Sequence, residues 1–264
     1  MVDLHSHLIP AVDDGARSLE EALEAVGRMV AAGIGRIVTT PHVTASLTHD
    51  ASELGAWLGR VDEPWRDLVE AVRQRFPTLE LHRGHEVMLD VPDPDFSDAH
   101  LRLAGTSFVL VEWPRLQIPP KTRQVIERIV DAGYHPILAH PERYSGMRQE
   151  LESAEAWRSA GAYLQVTHGS FAGRYGPEPR AVACELLSRG WVDYLSSDFH
   201  ARASLDIHLR DAEEFFTTHE GLEQFRLLTV TNPERVIKDE PPLTVPPLRI
   251  RSGLWDGIKK IFKG

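Results

Sequence analysis

Along this chain, short apolar runs end repeatedly in a histidine or a carboxylate, and the runs alternate with stretches of helical periodicity. The runs fall at residues 2–7, 36–40, 79–88, 108–111, 135–139, 163–167 and 192–196. Between them, apolar residues recur at three- and four-residue spacing over 19–32, 52–76, 122–132, 151–160, 179–188 and 209–217. Glycines at 33, 133, 161 and 190 stop four of these helices. Ser18 with Glu21 forms a capping box for the first, and Pro64 is expected to break or restart the second. Strand and helix in alternation imply parallel strands joined by right-handed crossovers, about seven βα units in all. A barrel places its chemistry at the C-terminal strand ends, and that is where the polar residues sit. The alternative, an open doubly wound sheet, lacks the G-x-G-x-x-G that would follow its first strand.

The first run carries the plainest chemical signal, His5-Ser6-His7. Alternate strand residues share a face, so the two imidazoles point together, as half of a metal site would require. A chain of 264 residues is long enough for one sizeable core. Its net charge of −10 argues against a nucleic-acid binder. The single cysteine, Cys184, excludes an internal disulfide, and Arg189 does not complete a Cys-x5-Arg phosphate cradle with it. With no basic, apolar leader and no run of membrane-spanning length, the expected location is the cytoplasm.

Taken in order, Asp3-Leu4-His5-Ser6-His7, residues 10–15 (PAVDDG), Thr40-Pro41-His42, Gly84-His85-Glu86, Ala139-His140-Pro141-Glu142-Arg143-Tyr144 and Ser197-Asp198-Phe199-His200 resemble the PHP (polymerase and histidinol phosphatase) superfamily. Within it, the chain resembles the manganese-dependent protein-tyrosine phosphatases of bacterial capsule and exopolysaccharide clusters, the CpsB/YwqE type. The resemblance runs from residue 2 to about residue 237. It implies a distorted, TIM-like (β/α)7 barrel with three divalent metals at its mouth. It also implies a phosphotyrosine protein as substrate, an autophosphorylating membrane tyrosine kinase of polysaccharide export. Carried over by motif, His5, His7, Glu86 and Asp198 hold the first metal. Glu86 bridges to a second, shared with Glu112 and His140, and Asp14, His42 and His200 hold the third. Arg143, Asp198 and His200 are the residues expected to act on the substrate. Manganese is the implied metal; sites of this oxygen and imidazole composition also accept iron or zinc.

Charge supports such a set. Four carboxylates and five neutral imidazoles around three divalent ions leave a surplus of about +2, suited to a phosphate dianion. Metal would lower the pKa of a bound water from about 15.7 towards 7, supplying a hydroxide nucleophile. The Arg143 guanidinium matches two phosphate oxygens, or else pairs with Glu142. Asp13 is read as the neighbour of Asp14, either carboxylate being able to cap the turn before Gly15. His85 should face away from Glu86, and His168 is open between a supporting and a packing role. Two departures from many relatives stand out: Val43 follows the Thr-Pro-His motif, and Ala203 follows Arg202. A histidinol-phosphate phosphatase or a non-enzymatic, metal-stabilised adaptor of the export complex are the competing readings.

The chain is expected to divide into residues 1–239, the catalytic domain, and 240–264, a tail. Glu240-Pro241-Pro242 and Pro246-Pro247 read as a semi-rigid linker. Beyond it, Leu254, Trp255, Ile258, Ile261 and Phe262 share one helical face opposite Asp256, Lys259, Lys260 and Lys263. That pattern fits an anionic inner-membrane surface, or packing on the barrel or on a second copy.

Overall fold

The computed structural model describes residues 1–250. All strand pairs are parallel, in a three-stranded sheet of order β1-β2-β4 and a six-stranded sheet of order β3-β5-β6-β7-β8-β9. The strands are β1 (Val2–Asp3), β2 (Arg36–Thr39), β3 (His42–Thr44), β4 (Glu80–Arg83), β5 (Glu86–Met88), β6 (Phe108–Glu112), β7 (His135–Ala139), β8 (Tyr163–Thr167) and β9 (Tyr194–Ser196). The helices are α1 (Leu19–Ala31), α2 (Ala51–Arg75), α3 (Thr122–Asp131), α4 (Leu151–Ser159), α5 (His168–Ala172), α6 (Pro177–Ser188), α7 (Leu209–Thr218), α8 (Leu222–Arg226) and α9 (Asn232–Ile237).

The two sheets are arcs of one ring. Two runs expected to be single strands are each broken, which distorts the ring without opening it. Pro41, which lacks an N–H, separates β2 from β3. Gly84 separates β4 from β5 where a Cβ would come within 2.9 Å of the Leu103 backbone. The seam is spanned by Gly84 N–H donating to Thr39 O (3.0 Å) and Glu86 N–H to Pro41 O (3.2 Å). First and last strands are joined by Asp198 N–H to His5 O (2.9 Å) and His7 N–H to Phe199 O (2.9 Å), with a parallel bridge at Ser6 and Phe199. β1 is shorter than expected because side chains replace its ladder partners: Leu4 N–H donates to Ser196 Oγ and His5 N–H to Asp3 Oδ1.

Alternation along the strands makes two cores. Outward residues such as Val109, Val111, Leu138, Leu164, Val166 and Leu195 pack beneath the helices. Inside the ring, towards the N-terminal strand ends, Val2, Leu4, Val38, Phe108, Leu110, Ile137, Tyr194 and Val236 form a second cluster. α9 and its neighbours close that pole, with Asn232 Nδ2–H donating to Asp193 O (3.1 Å) and Asp239 Oδ1 accepting from Ser107 N–H (2.8 Å).

Two expectations are corrected. α2 runs unbroken through Pro64 for 25 residues, capped by Asp50, whose Oδ1 accepts from Ser52 N–H (2.9 Å) and Glu53 N–H (3.0 Å). The backbone bond lost at Pro64 is outweighed by burying Leu54, Leu58, Val61, Leu68 and Val72 along one face. Over residues 240–250 the proline-rich stretch is packed on the barrel: Val245 and Leu248 are buried, and Leu248 N–H donates to Leu187 O (2.9 Å). The amphipathic pattern of residues 254–263 lies outside the described residues.

Candidate metal centre

Each inward-facing row changes from apolar to polar as it climbs. On β6 the order is Phe108, Leu110, Glu112; on β7 it is Ile137, Ala139, then His140; on β9 it is Tyr194, Ser196, then Asp198. At the top, all nine residues expected as ligands converge. Four sets have donor atoms within 4.8 Å of one another and could each hold a metal ion. They are His7, Asp14, His42 and His200; His5, Glu86 and His140; His5, His7 and Asp198; and His42, Glu86 and Glu112. Glu86 lies at the middle, with Oε2 3.0 Å from His5 Nε2 and 3.2 Å from His42 Nδ1, and Oε1 2.9 Å from His140 Nε2. Glu112 is 3.6 Å from His42 and 3.8 Å from His140. Asp14 Oδ1 is 3.3 Å from His200 Nε2 and 3.5 Å from His42 Nε2; its side chain is 66% exposed, so this group is the outer one.

Supporting hydrogen bonds aim the imidazoles. His5 Nδ1 lies 2.9 Å from Gln165 Oε1, and His7 Nδ1 lies 2.7 Å from Asp13 Oδ2. With Nδ1–H donated to these acceptors, each Nε2 presents a lone pair inward, 3.2 Å apart, facing Glu86 and Asp198. So many acceptors at such distances repel one another unless protons or cations lie between them. This donor set fits divalent cations. Burial works against a charged His5, yet Glu86 and Asp198 raise its pKa to about 9. His7 is likewise held well above its usual range, against burial, by Asp13, Asp198 and Glu86. The same pairing keeps Glu86 and Asp198 well below the carboxylate range despite their burial. Glu112 is pushed up by burial and by Glu86. A cation entering here displaces protons from His5 and His7.

His140 (φ 35°) and Asp198 (φ 50°) both occupy the left-handed region, which costs a non-glycine residue on the order of 1 kcal/mol or more. Their neighbours hold them there. Glu142 is turned under the loop, where Oε1 accepts from Thr167 N–H (2.9 Å), Thr167 Oγ1–H (2.9 Å) and Ser170 Oγ–H (2.7 Å). Arg143 therefore does not pair with Glu142. It reaches Asp198 Oδ2 through Nη1, and its guanidinium lies over the Tyr175 ring at 4.4 Å.

Several supporting residues carry little or no signal in their local sequence. Gln165, Tyr175 and the buried acceptor role of Glu142 are invisible locally, because their partners come from other strands. A lone glutamine between Leu164 and Val166 was the one available hint. Asp3, in the first motif, accepts from His5 N–H and Ser197 N–H and so ties the first and last strands; burial raises its pKa to about 6. Asp13 braces the neighbours of Asp14, accepting from His42 N–H (3.1 Å) and Gly15 N–H (2.9 Å). Arg202 donates to Asp14 O (2.6 Å). His85 faces away as expected: Nδ1 meets His100 O, the ring packs on Trp57, and burial drops its pKa to about 4. His168 is buried, also falls to about 4, and belongs to none of the four sets. Burial lifts the Cys184 thiol to about 12, which removes it as a nucleophile.

The chain is also similar to proteins of known name. The chain is 27% identical over 259 residues to the tyrosine-protein phosphatase YwqE of Bacillus subtilis, covering 95% of this chain and 97% of that one. It is 24% identical over 247 residues to the tyrosine-protein phosphatase CpsB of Streptococcus pneumoniae, covering 91% and 99%. A solved structure from work on YwqE and CpsB, described as metal-dependent tyrosine phosphatases, shares the fold with a TM-score of 0.78 at 24% identity, covering 95% of this chain and 100% of that one. A family model described as capsular polysaccharide synthesis, CpsB/CapC, matches residues 1–238, nearly the whole barrel, and the chain belongs to that family.

Proposed function

We propose that this protein is a metal-dependent protein-tyrosine phosphatase that hydrolyses phosphotyrosine at the barrel mouth. The observation that carries this reading is the convergence of five histidines and four carboxylates beside one arginine that shares Asp198 with them. Its relatives' activity, tyrosine-protein phosphatase, supplies the substrate class.

His5, His7, Glu86 and Asp198 would hold one divalent ion, Glu86, Glu112 and His140 a second, and Asp14, His42 and His200 a third, with manganese the first choice and iron or zinc accepted. Bound there, such ions acidify water and neutralise phosphate charge. The chain's own residues do the rest. Gln165 and Asp13 orient the His5 and His7 rings. Arg143 exchanges Asp198 for two phosphate oxygens, while the Tyr175 ring keeps its plane aligned. In the overall reaction, water oxygen bonds to phosphorus, the P–O bond to the ring breaks, and the phenolate takes a proton. Phenolate leaves readily, so no strong general acid is required.

The substrate we propose is an autophosphorylating tyrosine kinase at the inner membrane surface, met from the cytoplasmic side. The membership of a capsular-polysaccharide family and the basic, aromatic pattern of residues 254–263 support this. No described helix is long and apolar enough to cross a membrane. Flotation with anionic liposomes, comparing the full chain with one ending at Arg251, tests the membrane contact; equal flotation of both removes it.

The substrate test compares kcat/KM for a phosphotyrosine peptide and for histidinol phosphate in manganese. Phosphotyrosine should be favoured by at least about tenfold, a difference of about 1.4 kcal/mol in transition-state binding. A preference for histidinol phosphate would overturn the reading.

A further inference from the structure

The rim of the mouth is divided by charge. Loops following β6, β7 and β8, residues 113–121, 140–150 and 168–176, carry five cations against Glu142 and Glu150, a net +3. Glu142 is buried beneath the loop, so the surface there is more basic still. Loops following β1, β3 and β5, residues 8–18, 45–50 and 89–98, carry seven aspartates against Arg17, a net −6. Several of those aspartates are committed to internal bonds: Asp90 accepts from Ser46 N–H in the neighbouring loop, while Asp95 and Asp98 close turns by accepting from Ser97 N–H and His100 N–H. Of the cations, Arg143 is held by Asp198 and the Tyr175 ring. Arg115, Lys121 and Arg174 have no carboxylate partner among the described residues, and the side chains of Arg115 and Lys121 are exposed.

These cations stand on a built surface that continues into the site. Arg115 and Leu116 are held at φ 57° and 53°, and Lys121 at φ 63°, an unusual cost for three non-glycine residues in one short loop. That loop is tied to the next by Ser145 N–H donating to Leu116 O (2.8 Å) and by Trp113 N–H donating to Tyr144 Oη (3.1 Å). Arg143, two residues before Ser145, lies over Tyr175, and Arg174 lies over the same ring at 5.2 Å. A basic track thus runs from Arg115 past Arg143 to Arg174, alongside Glu112 and His140.

We infer that this sector is a subsite for acidic residues flanking the phosphotyrosine, so that the enzyme selects phosphopeptides by charge as well as by phosphate. The inference rests on the phosphatase reading above. An acidic flank settles over the loops after β6–β8 and is repelled from the aspartate-rich loops after β1–β5, which sets the direction in which the substrate chain crosses the mouth. A small aryl phosphate needs Arg143 for its phosphate but has no flanking residues to meet Arg115 or Lys121.

The test uses the full chain loaded with manganese and three phosphotyrosine peptides of equal length, flanked by glutamates, alanines or lysines, with p-nitrophenyl phosphate as the substrate without flanking residues. At low salt, kcat/KM should be about tenfold higher with glutamate than with lysine flanks, and the ratio should shrink as salt is raised. The Arg115→Glu/Lys121→Glu double variant should invert or erase that ratio while turning over p-nitrophenyl phosphate at the parent rate. Equal rates for the three peptides, or a lysine preference, with p-nitrophenyl phosphate still hydrolysed, overturns the subsite and leaves the phosphatase standing. Failure to hydrolyse any aryl phosphate overturns the phosphatase reading, and the subsite with it.

Discussion

The same strands end in two very different poles. At the N-terminal pole, Val2, Leu4, Phe108, Leu110, Ile137 and Tyr194 fill the ring and α9 seals it. At the C-terminal pole, two to four residues further along the same strands, imidazoles and carboxylates crowd to about 3 Å from one another. One pole gains stability from burial. The other spends it, holding His140 and Asp198 in left-handed backbone and pressing like lone pairs together. The difference teaches that the barrel is a scaffold whose closed end supports an open end organised for cations.

The sharpest way to break this comparison is to strike the polar pole. His140→Ala or Asp198→Ala should lower kcat by about a thousandfold or more and reduce metal content, measured by mass spectrometry of the metal alongside turnover. Full metal content with full activity would separate the cluster from the chemistry. At the apolar pole, Phe108→Ala should cost about 3–5 kcal/mol of stability in chemical denaturation. Metal content and kcat of the folded fraction should stay at parent values.

Arg143→Ala should keep its metal and lose about 2–4 kcal/mol of transition-state stabilisation, read from kcat/KM. Proton linkage sharpens the contrast further. In metal-free protein, His5 titrates near 9 against an ordinary 6.5. Its contribution to stability is therefore complete below pH 6.5 and lost as pH rises through 9. Metal competes with those protons, so its affinity should move the other way and rise with pH over the same window. Thermal melts of metal-free and manganese-loaded protein at pH 6.5 and 8.5 should diverge as pH rises; parallel shifts would contradict the pairing. The smallest effect belongs to Cys184→Ser. The thiol is buried in the outer core with its pKa near 12, so activity should be unchanged at a stability cost of about 1 kcal/mol.

Much of this was legible in the sequence because each expected ligand ends a strand or lies just beyond one. The local alternation from Phe108 to Glu112, or the step from Ala139 to His140, can be read without knowing any neighbour. What escaped depends on partners distant in sequence. Gln165 matters because His5 is 160 positions away but 2.9 Å distant, and Glu142 because Thr167 and Ser170 come from the next strand and its helix. Pro64 looked like a break, but the apolar face of α2 holds it in register. The prolines after residue 240 looked like a linker, yet burial of Val245 and Leu248 binds that stretch to the end of α6.

The most direct measurement is a stepwise return of manganese to metal-stripped protein, recording bound metal per chain and phosphotyrosine hydrolysis on the same samples. The expected result is no turnover without metal, and activity that rises with occupancy to a plateau when the mouth is filled. Turnover in fully stripped protein equal to that of the loaded enzyme would contradict the assignment of the polar pole to metal-dependent hydrolysis.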